Sequence, residues 1–186
     1  MRVILSGRWL SREIIAGFQL LGGSKIIMDK TTTIFLWLLP TVTSMHVFEE
    51  FGFPGGLKAW IKSYKPLKPK SNLYYFVANA SIILGAFIIA MKAKDVFGYR
   101  IYLFIIGVLG WNALTHIRGT LQKRQYCPGV ISGCLLTFPL MIASNFYFSY
   151  FLGVDRYSVI AFQLIGCIIG FYVGGMDIRK RDGATA

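Results

Sequence analysis

The chain has 186 residues, of which 55% are hydrophobic and only 15% are charged, whereas soluble domains carry about a quarter charged residues. This composition and a mean hydropathy of +0.56 exclude a soluble protein and indicate a polytopic membrane protein. The net charge of +12 is then explained by basic cytoplasmic loops, and no nucleic-acid partner is expected because no nucleic-acid-binding module is present.

The N-terminal extension, residues 1–27, is not predicted to span the membrane. It carries four basic residues among apolar ones, and residues 9–21 are predicted to form an amphipathic helix on the membrane surface. The alternative is an over-long start, because Met28 comes just before the first apolar run. Under either interpretation we expect the extension to be dispensable for insertion and folding.

Five apolar runs follow, and each is long enough to cross the bilayer as a helix of about 20 residues. Helices are expected because a segment exposed to lipid must satisfy its own backbone hydrogen bonds. The predicted fold class is all-α: a polytopic bundle of five transmembrane helices in one domain, residues 28–178, followed by a polar tail at 179–186. The predicted spans are residues 33–50, 73–91, 99–117, 130–152 and 157–176.

A short surface helix is predicted between the first two spans, at residues 57–64. Glycines and a proline at residues 52–56 break the preceding helix, and a basic, proline-containing connection follows at residues 65–70. Trp60 and Tyr64 are side chains suited to the membrane interface.

The distribution of basic residues predicts the orientation, because cytoplasmic loops are enriched in Lys and Arg. One side holds five in the first loop, three in the third and three in the C-terminal tail; the other side holds five outside the extension. The first set is Lys58, Lys62, Lys65, Lys68, Lys70, Arg118, Lys123, Arg124, Arg179, Lys180 and Arg181, and the second is Lys30, Lys92, Lys94, Arg100 and Arg156. We therefore expect a bacterial-type plasma membrane protein with a cytoplasmic C-terminus.

Six polar residues are predicted to lie in one layer near the cytoplasmic end of the bundle. The first span ends with three of them at i, i+3 and i+4, which are neighbours on a helix face, and the third span ends with two that are four apart. At 1.5 Å rise per residue, all six lie within about 10 Å of that end. They are His46, Glu49, Glu50, Asn79, Asn112 and His116.

Imidazole and carboxylate groups at membrane depth favour a metal site, because such groups are costly there and suit Zn²⁺ or non-haem iron. We expect His46, Glu49 and His116 as metal ligands, with Glu50 and Glu49 as catalytic acid–base groups. Asn79 and Asn112 are expected to orient the ligands or to contact substrate. No organic cofactor is expected.

Other interpretations of these residues stay open. Without metal, a carboxylate beside a protonated imidazole could transfer protons, as isomerisation of a lipid double bond requires. In a purely structural account the glutamates pair with Lys58 or Lys62 at the interface, and the asparagines form hydrogen bonds between helices.

Smaller residues in the spans have structural interpretations. Gly166, Gly170 and Gly174 form a stripe that favours close helix packing, either within the bundle or at a homo-oligomer contact. Pro40 and Pro139 lie inside spans and are expected to kink them. The three cysteines, Cys127, Cys134 and Cys167, lack the spacing of a metal site, and no disulfide is expected.

The motif His46-Val-Phe-Glu49-Glu50 at the end of the first span resembles that of the HXXEE family of small multi-spanning membrane proteins. Asn79, the ending from Asn112 to His116 and the Tyr-Cys-Pro-Gly segment at residues 126–129 are also similar to that family. The resemblance covers about residues 28–176. It implies a multi-spanning membrane fold and no particular reaction.

The sequence predicts a membrane-embedded enzyme, most simply a metal-dependent hydrolase, that acts on a lipid or another apolar substrate. A metal-free isomerase is the second hypothesis. A non-enzymatic protein that binds lipid or a partner, or that transports a solute, is the third, although the chain shows no inverted repeat typical of secondary transporters.

Overall fold

The structure, a computed structural model, describes residues 30–52, 56–64 and 71–175. The predicted surface helix at 9–21 and the predicted tail at 179–186 lie outside these residues. Six helices follow one another, and no strand occurs among the described residues. They are α1 (Lys30–Gly52), α2 (Gly56–Tyr64), α3 (Asn72–Lys92), α4 (Val96–Lys123), α5 (Val130–Tyr150) and α6 (Arg156–Gly175).

Four of these helices, α1, α3, α4 and α5, are long and apolar enough to cross a membrane, and α6 is a further apolar helix. The predicted all-α membrane bundle is confirmed. The largest difference is at the end of α4, which continues six residues beyond the apolar run to Lys123. Polar residues there are compatible with a helix outside the hydrocarbon, and the helix ends where Arg124 adopts a left-handed conformation, with φ of 52°.

The predicted short helix between the first two spans is confirmed as α2. Its Trp60 packs on Gly119 of α4, where an added Cβ would lie 2.5 Å from the indole ring. Lys123 Nζ also donates a hydrogen bond to the Ser63 carbonyl at 3.3 Å. The helix α2 is therefore held against the end of α4.

The expected irregularity at Pro139 takes the form of a π-helical turn at Gly133–Thr137 within α5. Proline lacks the N–H group and its ring crowds the carbonyl four residues earlier, which disfavours regular helix at this point. The Phe138 N–H instead reaches back five residues to the Gly133 carbonyl. The turn lies shortly after the N-terminus of α5, at the end of the bundle that holds His46, Glu50 and His116.

The glycine stripe of α6 packs inside the bundle against α4. A Cβ at Gly166 would lie 2.1 Å from the Phe104 carbonyl oxygen, and one at Gly170 would lie 3.0 Å from Trp111 Cβ. On α4, a Cβ at Gly107 would lie 2.3 Å from the Gln163 carbonyl oxygen. The stripe was expected to pack either within the bundle or at a homo-oligomer contact. At Gly166 and Gly170 the packing is within the bundle.

The chain direction brings three helix ends together. The helices α1 and α4 finish at one end of the bundle and α5 begins there, joined to α4 by the short connection at residues 124–129. This end holds the polar residues described next.

Candidate metal centre

Two histidines and one glutamate meet at this end of the bundle. His46 and Glu50 are one turn apart on α1, and His116 comes from α4. His46 Nε2 lies 3.3 Å and His116 Nε2 2.7 Å from Glu50 Oε1, and one potential ligand atom from each residue lies within 4.8 Å of the others. All three side chains are buried, with 2% to 3% of their surface exposed.

Asn112 links the members of this trio. It lies one turn before His116 on α4, and its Nδ2 donates hydrogen bonds to His46 Nε2 at 2.9 Å and to Glu50 Oε1 at 3.0 Å. The predicted placement of Asn112 and His116 on one helix face, directed at the motif of α1, is what the structure has.

The second nitrogen of each imidazole also has a partner. His46 Nδ1 lies 2.8 Å from Ser132 Oγ, and His116 Nδ1 lies 3.3 Å from Cys127 Sγ. Histidines that bind metal ordinarily engage their other ring nitrogen in this way, which fixes the ring and its tautomer. Both rings are thus held with Nε2 facing Glu50.

Glu49 lies at the N-terminus of α5, away from the histidine nitrogens. Its Oε1 accepts hydrogen bonds from the Ile131 N–H at 2.9 Å and the Tyr126 hydroxyl at 2.7 Å, and its Oε2 accepts one from the Ser132 N–H at 2.6 Å. A helix N-terminus presents unpaired N–H groups and favours a negative charge. Glu49 therefore acts as a cap for α5 that is supplied by α1.

The set of ligands expected from the sequence had Glu49 where the structure has Glu50 beside both histidines. At 100° per residue, Glu50 lies about 40° from His46 around the axis and Glu49 about 60° on the other side. The helix α4 packs on the Glu50 side and α5 on the Glu49 side. The two adjacent glutamates consequently have different neighbours.

The connection between α4 and α5 closes the cluster. Burial, together with the charges of Glu50 and Glu49, raises the pKa of the Cys127 thiol to about 12, so the partner of His116 is a neutral thiol. Burial and the hydrogen bond to Glu49 likewise raise the pKa of the Tyr126 hydroxyl, which remains a donor.

Gly129 in this connection is required by its conformation and by its surroundings. Its φ is +98°, which L side chains rarely adopt. A Cβ at this position would also lie 2.9 Å from two ring atoms of His116. The backbone therefore approaches the imidazole as closely as only glycine allows.

Asn79 is the one predicted site residue that does not join the cluster. Its Nδ2 donates to the Tyr75 carbonyl of its own helix at 2.9 Å, and the residue lines a separate cavity beside Val47 and Phe51. Helical rise gives the level of a residue along its helix but not its direction around the helix axis. Asn79 lies at the right level but meets α1 on the side of Val47 and Phe51, not on the side of the histidine.

Sequence reasoning gave no role to Ser132, Tyr126 and Cys127. The signal that could have found them is their position, because the connection and the N-terminus of α5 lie at the same end as the motif, and helix N-termini attract carboxylates. The alternative in which the two glutamates pair with Lys58 or Lys62 at the interface does not agree with the structure. Glu49 and Glu50 are buried, with 6% and 3% exposed, and they bond to groups of α4, α5 and the connection between these helices.

Comparison with known proteins gives one finding. The family described as "Protein of unknown function with HXXEE motif" matches residues 37–144, which is more than half of the chain and includes every residue of the cluster. Searches of curated proteins and of solved structures found no match.

Proposed function

The chain belongs to the HXXEE-motif family, and for this member we propose that His46, Glu50 and His116 hold one divalent metal ion, Zn²⁺ or Fe²⁺. We propose further that the chain is a membrane-embedded hydrolase acting on a lipid or another apolar substrate. The observation that carries the proposal is the convergence of three buried ligand atoms within 4.8 Å of one another.

The donor set fits a catalytic metal. Two imidazoles and one carboxylate are the protein ligands of several hydrolytic zinc sites, which leave one position for water or substrate. Ligand atoms around a tetrahedral zinc ion are roughly 3.3 Å apart, and His46 Nε2 lies 3.3 Å from Glu50 Oε1. The His116–Glu50 pair, at 2.7 Å, is hydrogen-bonded and closer than this separation, and all three ligand atoms lie within 4.8 Å of one another.

The surrounding residues support this function without touching the metal. Ser132 and Cys127 hold the two imidazoles through Nδ1, and Glu49 fixes Ser132 by accepting its N–H. Asn112 donates to His46 Nε2 and Glu50 Oε1; a metal at Nε2 would replace the first bond and free one N–H group to orient a substrate carbonyl or a water molecule. A divalent ion bound there would supply a Lewis acid that polarises a scissile carbonyl or phosphoryl group and makes water a better nucleophile.

A second candidate function, metal-free proton transfer, is favoured by the 2.7 Å hydrogen bond between His116 Nε2 and Glu50 Oε1. A buried carboxylate and imidazole at this distance can exchange a proton with a substrate, as isomerisation of a double bond requires. The two functions differ in whether a metal is needed.

Elemental analysis of the purified protein tests the metal site. We expect about one equivalent of zinc or iron per chain in the wild type and its loss in His46→Ala and in His116→Ala, since each removes one ligand. Asn79→Ala is the matched control, because Asn79 is polar and on a span but outside the cluster, and it should retain the metal. Equal metal content in all four proteins would contradict the proposal.

Hydrolysis is tested in vesicles of phosphatidylethanolamine and phosphatidylglycerol that contain the purified protein. Mass spectrometry of the lipids should show a cleavage product with the metal-loaded wild type and none after treatment with a chelator. A cleavage product that persists after chelation would show that hydrolysis does not need the metal and would contradict the proposed mechanism, and no product at all would oppose lipid hydrolysis.

A further inference from the structure

A cavity of about 440 Å³ lies between α1, α2 and α3. Its volume is within the range of small-molecule sites, about 300–1,000 Å³. Val47 and Phe51 form its wall on α1, and each directly follows a residue of the metal centre in sequence. None of the three proposed ligands lines it, so the cavity is a site of its own.

The cavity has a polar end and an apolar end. Lys58 and Asn72 lie at the end of the bundle where α1 finishes and α3 begins, and Lys58 Nζ donates a hydrogen bond to Asn72 Oδ1. From there the cavity follows α3 as far as Ile83, which is about 16 Å along the axis at 1.5 Å per residue. Beyond Asn72 the lining is apolar except for Tyr75 and for Asn79, whose amide donates to the Tyr75 carbonyl. The charged group therefore lies at one end, and the polarity falls from there along α3, as it does in a membrane from head groups to hydrocarbon.

The polar end carries the positive charge of Lys58. Among the described residues that line the cavity, Lys58 is the charged one, and its ammonium group has three N–H donors. One donor is directed to Asn72; the others can bind an oxygen ligand at the mouth. A carboxylate, with one negative charge and two acceptor oxygens, matches this end.

We propose that the cavity binds a long-chain fatty acid, with its carboxylate at Lys58 and its alkyl chain along α3 towards Ile83. The Lys58 ammonium group balances a carboxylate, and the elongated cavity follows α3 as an alkyl chain would. The carboxylate of a fatty acid matches the charged end of the cavity, and its alkyl chain matches the apolar end. This proposal does not rest on the metal centre, since it uses different residues.

Photo-crosslinking tests the site on the full chain in a neutral detergent, with a diazirine analogue of hexadecanoate as the probe. We expect saturable labelling of peptides that contain residues 72–83. Unlabelled hexadecanoate should compete about tenfold better than hexadecanol, because only the acid makes a charge-assisted bond to Lys58. Labelling that does not saturate, or equal competition by acid and alcohol, would overturn the proposal.

Two pairs of variants locate the molecule within the cavity. Lys58→Gln should remove the preference for the acid over the alcohol, whereas Lys62→Gln, on the same short helix but outside the cavity, should keep it. Ala80→Trp should fill the cavity and abolish saturable labelling, whereas Val77→Trp, exposed on α3 but not lining the cavity, should not. Identical behaviour within either pair would show that the fatty acid binds elsewhere.

Discussion

The two adjacent glutamates of the motif bind different parts of the structure. Glu50 faces both histidines and Asn112, while Glu49 accepts two backbone N–H groups at the start of α5. The repeated residue in the sequence therefore combines two roles, one towards the two histidines and one towards a helix end. Because their neighbours are on different helices, the roles can be separated by substitution.

Replacing the two glutamates with glutamine, one at a time, should separate metal binding from the stability of the fold. Glu50→Gln removes a charged ligand and should abolish metal binding. Glu49→Gln should retain the metal but lower the free energy of unfolding by about 1–3 kcal/mol, because a buried N–H group loses a charged acceptor. Elemental analysis and unfolding in SDS followed by circular dichroism measure the two quantities. Loss of metal in Glu49→Gln alone would reverse the assignment.

Ser132 should affect the metal centre through His46 alone. Ser132→Ala removes the hydroxyl at 2.8 Å from His46 Nδ1, and loss of such a partner lowers metal affinity by about 10–100-fold. Titration with a competing chelator measures the affinity. Ser63→Ala, a serine on α2 whose hydroxyl bonds to the Trp60 carbonyl, is the control and should leave the affinity unchanged.

The sequence was sufficient to predict that the polar residues share one level of the bundle but not which partners they have. Helical rise placed His46, Glu50, Asn112 and His116 at one level, and the structure brings them together. Rotation about the axis depends on which neighbour packs on which face, and that information is not in the spacing of one helix. For this reason the sequence prediction named Glu49 where the structure has Glu50 beside the histidines. For the same reason it placed Asn79 in the cluster rather than in a separate cavity.

At the scale of elements, hydropathy located all five apolar helices, because length and apolarity are local properties. The π-helical turn of α5 was predicted only as a kink at Pro139, since proline disturbs a helix without specifying how its hydrogen bonds rearrange. The packing of α2 on α4 was not predicted either, because the expected position of Trp60 at the membrane interface did not indicate that it also packs on Gly119.

The contact between α4 and α6 should be sensitive to one methyl group. Gly166→Ala places a Cβ within 2.1 Å of the Phe104 carbonyl oxygen, so the helices must separate, at a cost of about 1–3 kcal/mol in unfolding free energy. Gly85→Ala on α3 is the control: no atom lies within 4 Å of its Cβ, and alanine should be neutral or stabilising in a helix. A stable Gly166→Ala would show that this packing is looser than described.

For the whole molecule, the charge distribution predicts the orientation in the membrane. Ser71→Cys, before α3, should be cytoplasmic, and Tyr157→Cys, at the start of α6 with 87% of its side chain exposed, should be external. A membrane-impermeant maleimide applied to intact cells should therefore label only the second variant. The wild type, which contains Cys127, Cys134 and Cys167, gives the background. Labelling of the Ser71→Cys variant alone would show that the orientation is the opposite of the predicted one.

The cap that Glu49 provides for α5 has a consequence for synthesis of the protein. Helix α1 is made before α5, and the partners of Glu49 at residues 126, 131 and 132 are translated about eighty residues after Glu49. Until then the Glu49 carboxylate, at the end of an apolar helix, lacks its final partners, which is costly. Chains that stop before residue 126 should therefore be marked for degradation, and pulse-chase labelling should show that Glu49→Gln prolongs their lifetime.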